Sequence, residues 1–221
     1  MKRKVSGPLC VALVSLFGAL FASQPAVASP PLGRVTYSAN LSFPVLGWYQ
    51  SRWSTFEDGA YVIRTPSVGQ NLIREPSNLT LPHVAITLRA SLNTNTSAQS
   101  AFGIYCLADY KKGGLGVGFL VHRNEEWTIY EQKGKDPEKL LASGSAPNLD
   151  VVHSASVTAV CDALPGKMNL GLYVNGQMVS SLTEPSPKLV TPWLIRLDAY
   201  RANSAPSTVS VKSFVLRNLA T

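Results

Sequence analysis

Two cysteines, Cys106 and Cys161, constrain this chain more than any other pair of residues. Each lies where apolar and polar residues alternate, and each falls on the apolar phase. Around the first, that phase is Phe102, Ile104, Cys106 and Ala108. Before the second it is Val151, His153, Ala155, Val157, Ala159 and Cys161. Side chains along a strand alternate faces with period two, so both sulfurs point into one core. The pattern implies a buried disulfide joining two strands across a 55-residue span. Closing such a loop in the unfolded chain contributes at most about 4 kcal/mol.

The N-terminus supplies the compartment that such a bond needs. Met1–Lys4 is a basic n-region and Leu9–Ala22 a short apolar run. Pro25–Ala28 offers the small-residue pattern of a signal-peptidase site, with cleavage expected after Ala28. The apolar run is interrupted and shorter than the roughly 20 residues that span a bilayer, so no transmembrane anchor is expected after cleavage. Cys10 precedes most of that run, which is the wrong place for a lipoprotein cysteine. Cleavage would leave two cysteines, an even count suited to one disulfide in a secreted or cell-envelope protein.

Residues 29–46 are rich in proline and small polar residues and read as an N-terminal extension. From Gly47 to the end, one strand pattern follows another. His83–Leu92 puts Val84, Ile86, Leu88, Ala90 and Leu92 inward. Leu115–Val121 puts Leu115, Val117, Phe119 and Val121 inward. Met168–Val174 puts Met168, Leu170, Leu172 and Val174 inward. Asp58-Gly59, Asn124-Glu125-Glu126 and Asn175-Gly176 mark turns. Asn-Gly suits the two positive φ angles of a type I′ hairpin. A short strand is allowed at Lys139–Ala142, and no amphipathic helix is evident. Residues 47–221 therefore read as one all-β domain, an antiparallel two-sheet jelly-roll sandwich. An immunoglobulin domain is disfavoured. The chain is too long, the first tryptophan after Cys106 is Trp127, and Ala159 stands where a tyrosine corner would place tyrosine.

The formal charge of +7 falls to +4 without the three basic residues of the signal. Apart from Lys111-Lys112 and Lys133/Lys135, the basic residues are scattered singly, which argues against a nucleic-acid partner. No catalytic set emerges. Glycoside hydrolysis takes two carboxylates facing one bond, and Glu125-Glu126 would face opposite ways. Asp109, Asp162 and Asp198 read as solvated surface carboxylates. His83, His122 and His153 stand in different strands without metal-ligand spacing, so no metal or cofactor is implied. His83 and His122 fall on outward phases; His153 falls on an inward phase, with a buried, hydrogen-bonded role expected.

The ordered set FEDGAYVI, FGIYC, GVGFLVHRNEEWTIYEQ, VTAVCDA and MNLGLYVNGQMV resembles the concanavalin A-like lectin/glucanase superfamily, in the laminin-G-like branch of exported bacterial proteins. The resemblance spans roughly residues 47–218. It implies two curved antiparallel sheets, frequent glycan or protein binding, and catalysis in certain members. Two stretches depart from the family pattern: the Asn124-Glu125-Glu126 turn and the glycine-free Trp193–Tyr200 strand.

Aromatic side chains are the remaining candidates for sugar stacking: Trp48, Tyr49, Trp53, Tyr105, Tyr110, Trp127, Tyr130, Tyr173 and Tyr200. The tryptophans read as core or edge-covering. Tyr105, Tyr173 and Tyr200 are opposite in phase to the core residues of their strands. They are expected to share an outer, ligand-facing surface with Arg89 and Arg196. Cross-strand packing is the competing role for these rings. Three functions follow as expectations: a non-catalytic module for a glycan or a cell-envelope protein, a glycoside hydrolase or lyase, and a structural envelope protein.

Overall fold

Turn chemistry sets the local connections. Asp58 and Gly59, and again Asn175 and Gly176, all have positive φ, the conformation that a two-residue hairpin loop needs to match strand twist. They join β2 (Ser54–Glu57) to β3 (Ala60–Thr65) and β12 (Gly166–Val174) to β13 (Gln177–Ser186). Glu125, also at positive φ, turns the chain between β8 (Leu115–His122) and β9 (Glu126–Lys133). The computed structural model describes residues 33–74, 80–93, 95–108, 114–146, 149–186, 193–203 and 205–219. The signal segment 1–28, its cleavage site, and Asp109, Tyr110, Lys111 and Lys112 lie outside the described residues.

The remaining strands are β1 (Arg34–Asn40), β4 (Gly69–Arg74), β5 (Thr80–Leu81), β6 (His83–Leu92), β7 (Ala101–Ala108), β10 (Lys139–Ser145), β11 (Ala155–Leu164), β14 (Trp193–Arg201) and β15 (Ser207–Asn218). They form two antiparallel sheets. Sheet A runs β13-β12-β11-β6-β15-β3-β2, with β1 beside β3 on the same flank of β15. Sheet B runs β10-β9-β8-β7-β14-β4, with β5 also on β14. β1 falls inside the stretch that composition sets apart as an extension, yet it is a sheet strand. Among the described residues no helix is long and apolar enough to cross a membrane.

The inward phases meet as expected. Ile86, Leu88, Val157, Leu172 and Phe214 from sheet A pack with Phe102, Ile104, Phe119, Ile129 and Leu197 from sheet B, all buried. Each such side chain contributes roughly 1.5–3 kcal/mol on leaving water. The disulfide Cys106–Cys161 forms. It runs from β7 in sheet B to β11 in sheet A, so it links the two sheets rather than two neighbouring strands of one sheet.

Two expectations are corrected. His153 is exposed, not buried. It lies in the turn before β11, where its backbone N–H donates to Asp150 Oδ1 (3.0 Å) and its Nδ1 pairs with Asp150 Oδ2 (2.7 Å). That local side-chain capping outcompetes extension of the strand. Trp53 is partly exposed, whereas Trp48, Trp127 and Trp193 are in the core.

Candidate functional site

The strand phases that leave the core build two outer faces. On sheet B they form a lattice whose register puts Tyr130, Gly118, Tyr105 and Arg196 in one row across β9, β8, β7 and β14. The next row is Thr128, Leu120, Gly103 and Asp198, and the one after it His122, Ala101 and Tyr200. On the other side of the first row lie Gln132, Gly116, Leu107 and Leu194.

The glycines of β8 explain how large rings lie flat here. A Cβ at Gly118 would stand 2.0 Å from Tyr130 Cζ, and one at Gly116 would stand 1.7 Å from Tyr105 Oη. Each ring therefore occupies the space that a neighbouring side chain would fill. The two ring centroids are 6.2 Å apart. A Cβ at Gly103 would run into the Phe119 carbonyl, so the position opposite Asp198 is bare by necessity. Tyr130 reaches across to donate its hydroxyl to Asp198 Oδ2 at 2.9 Å, and Tyr105 donates to Gln132 Oε1 at 3.3 Å. Ala101, Tyr105, Leu120 and Tyr130 form a second buried cluster, apart from the main core, with Leu107 and Tyr200 packed against it.

Asp198 is the residue that sequence reasoning misplaced. It was expected to be solvated, yet it is 1% exposed. Burial pushes its carboxyl up to about 7. The Tyr130 bond pulls the other way and the Glu138 charge adds to the rise. Burial likewise lifts Tyr105 to about 12 and raises Tyr130, with the Asp198 charge reinforcing both. The glycine pair at i and i+2 on the outward phase of β8 is the sequence signal that would have exposed this cluster and added Tyr130 to the site. Around it lies a half-buried rim of Arg196, Tyr200, Gln132, Thr128 and His122. His122 is fixed at both nitrogens, Nδ1 to the Gln99 carbonyl and Nε2 to the Thr128 hydroxyl, each at 3.0 Å. Since a carbonyl only accepts, Nδ1 carries the proton of that bond.

The outer face of sheet A is different. His83, Asp162, Asn169 and Thr183 stand in one row across β6, β11, β12 and β13. His83 Nδ1 lies 2.5 Å from Asp162 Oδ1, Asn169 Nδ2 donates to Asp162 Oδ2 (3.1 Å), and Thr183 Oγ1 donates to Asn169 Oδ1 (3.0 Å). Thr87 and Thr158 pair hydroxyl to hydroxyl at 2.9 Å beside Tyr173. Arg89 Nε donates to Ser154 Oγ at 2.9 Å.

The five residues expected to share one surface are thus divided. Tyr105, Tyr200 and Arg196 lie together on sheet B. Tyr173 and Arg89 lie on the far side of the sandwich, on sheet A. Tyr105 and Tyr173 are buried rather than open, while Arg196 and Tyr200 are half-exposed.

Solved structures give the architecture a wider setting. The chain is similar to the carbohydrate-recognition domain of Emp46p (13% identity, TM-score 0.59), covering 86% of this chain and 100% of that one. It is similar to the lumenal domain of VIP36 in a form bound to Ca2+ and Man3GlcNAc (11%, TM-score 0.58), covering 83% and 89%. It is also similar to a Bacillus licheniformis β-glucanase (11%, TM-score 0.57), covering 84% and 99%. The fold is a concanavalin A-like two-sheet sandwich. No protein-family model and no curated protein matches the chain.

Proposed function

We propose that this protein is an exported, non-catalytic glycan-binding module of the laminin-G-like type, and that it binds through the outer face of sheet B. The observation that carries this reading is the aromatic floor of Tyr105 and Tyr130, locked over Gly116 and Gly118 and ringed by Arg196, Tyr200, Gln132 and His122. A rigid floor lowers the ordering cost of binding. The half-exposed Tyr200 ring offers an apolar face to a sugar, and Arg196 and Gln132 offer donors to its hydroxyls. A disulfide between the two sheets would be short-lived in a reducing cytosol, so the Cys106–Cys161 bond supports an extracellular or lumenal home. The carbohydrate-recognition domains among the similar structures support the same class of ligand.

A hydrolase reading rests on Asp198, whose carboxyl is raised into the range of a general acid, and on Glu138, whose charge it senses. Asp198 is sealed under the tyrosines with one oxygen given to Tyr130. It is not placed to hand a proton to a glycosidic oxygen, so binding is the better fit.

The test is a glycan array probed with the wild type and with Arg196→Ala and Tyr200→Ala. Binding to a defined set of glycans, weakened at least about tenfold by each substitution, is expected. Unchanged binding in both variants, or release of a shortened sugar on incubation, would overturn the reading.

A further inference from the structure

The loop between β1 and β2 breaks the usual rule that large apolar side chains scatter singly over a surface. Within residues 43–53, Leu46 is 98% exposed, Phe43 68%, Tyr49 63% and Trp53 36%. The loop is nevertheless firmly anchored. Leu41 is buried, and its N–H donates to the Lys212 carbonyl at 2.8 Å. Trp48 is buried against Tyr61 and Phe214, with ring centroids 5.0 and 5.8 Å away, and its indole N–H donates to the Tyr37 hydroxyl at 3.1 Å. The Tyr49 carbonyl accepts from the Tyr61 hydroxyl at 2.5 Å and the Ser54 hydroxyl at 3.3 Å. The side chains that can reach the core have done so. The rest are held outward on a fixed backbone.

Charge narrows what they meet. Residues 33–56 contain Arg34 and Arg52 and no carboxylate. The Arg52 guanidinium sits 4.7 Å over the Trp53 ring, which keeps a cation at the apolar patch. The adjacent β2–β3 hairpin carries Glu57, which is bridged by Arg64, and Asp58, whose turn also holds Lys212 through the Gly59 carbonyl at 2.9 Å. Exposed Leu and Phe, with Trp, Tyr and Arg in the same loop, are the residue types that a lipid surface takes up: aliphatic and aromatic side chains for the acyl boundary, amphipathic rings for the headgroup level and a cation for phosphate.

We propose that the Phe43–Trp53 loop is a peripheral membrane contact that seats on an anionic lipid surface, separate from the glycan-binding face. Leu46 and Phe43 enter the acyl boundary, Trp53 and Tyr49 lie at headgroup level, and Arg52 meets lipid phosphate.

The test uses the full chain with vesicles of phosphatidylcholine, alone or mixed with phosphatidylglycerol. The wild type is compared with a Phe43→Ser/Leu46→Ser double variant. Both carry the same N-terminal apolar run, so any vesicle binding by that run is common to the two. These side chains are exposed, so folding is expected to be unaffected, which circular dichroism checks. The affinity for mixed vesicles should fall at least about tenfold in the double variant and about fivefold in Arg52→Ala. Since Trp48, Trp127 and Trp193 are buried, brominated lipid should quench Trp53 in the wild type and not in the double variant. Equal vesicle affinity of wild type and double variant, or Trp53 left unquenched on mixed vesicles, would overturn the proposal. So would a concentration-dependent dimer that the double variant abolishes, which would assign the loop to self-association. Glycan binding should be the same in wild type and double variant, which separates this proposal from the one above.

Discussion

The two outer faces of the sandwich are built on the same antiparallel lattice and use it in opposite ways. Sheet A fills its outer rows with short polar groups that satisfy one another strand by strand, as in His83–Asp162–Asn169–Thr183. Sheet B leaves glycines at Gly116 and Gly118 and lays tyrosine rings into the space, so that one hydroxyl reaches a buried carboxylate on β14. Each cross-strand pair of the sheet A kind is worth only a few tenths of a kcal/mol to about 1 kcal/mol. The sheet B cluster couples four strands, and it buries Asp198 where its charge is costly. A face that carries such a cost for no gain in the core is the one on which to look for function.

The inter-sheet disulfide is what the two faces share. Replacing Cys106 and Cys161 together by alanine should cost about 2–4 kcal/mol, read as a lowered denaturation midpoint. Because the bond joins the sheets, both faces should lose order together in hydrogen exchange.

A matched pair of glycine substitutions distinguishes the faces. At Gly118, an added Cβ meets the Tyr130 ring at 2.0 Å, whereas at Gly171 of sheet A the nearest atom is Val160 Cβ at 3.3 Å. Tyr130 is held by Asp198 and cannot swing aside freely. Gly118→Ala should therefore cost about 1–3 kcal/mol and abolish glycan binding, and Gly171→Ala less than about 1 kcal/mol with binding retained. Thermal melts and the glycan array read the two effects.

pH bears on the sheet B face through its buried carboxylate. The Asp198 carboxyl moves from an ordinary 3.8 to about 7 on folding, chiefly through burial. The folded state thus holds the proton more tightly, and its stabilising contribution is complete at low pH and lost as pH rises toward 7. Asp198→Asn should flatten the fall in stability between about pH 4 and pH 7, read from denaturation midpoints across that range. The smallest effect is expected from Thr183→Ala at the edge of the sheet A row, below about 0.5 kcal/mol.

Much of this was legible in the chain. Period-two alternation identified the inward residues of β6, β7, β8 and β12, and Asp-Gly and Asn-Gly marked the β2–β3 and β12–β13 hairpins, because these are local properties. The partnering of strands is not local. Nothing in the alternation around Cys106 and Cys161 says that β7 and β11 belong to different sheets, so Tyr105 and Tyr173 were expected on one surface and stand on two. Asp198 looked like a lone surface carboxylate because the ring that covers it comes from β9, three strands away beyond β7 and β8. His153 failed for the opposite reason: Asp150, three residues earlier, captured it in a turn.

The most direct test of the division between the faces is an amide and side-chain NMR titration with the tightest-binding oligosaccharide from the array. Shifts should appear at Tyr200, Arg196, Gln132 and His122 on sheet B, with His83, Arg89 and Tyr173 unmoved. Shifts centred on His83, Arg89 and Tyr173 would place the binding face on sheet A and contradict the assignment made from the tyrosine cluster.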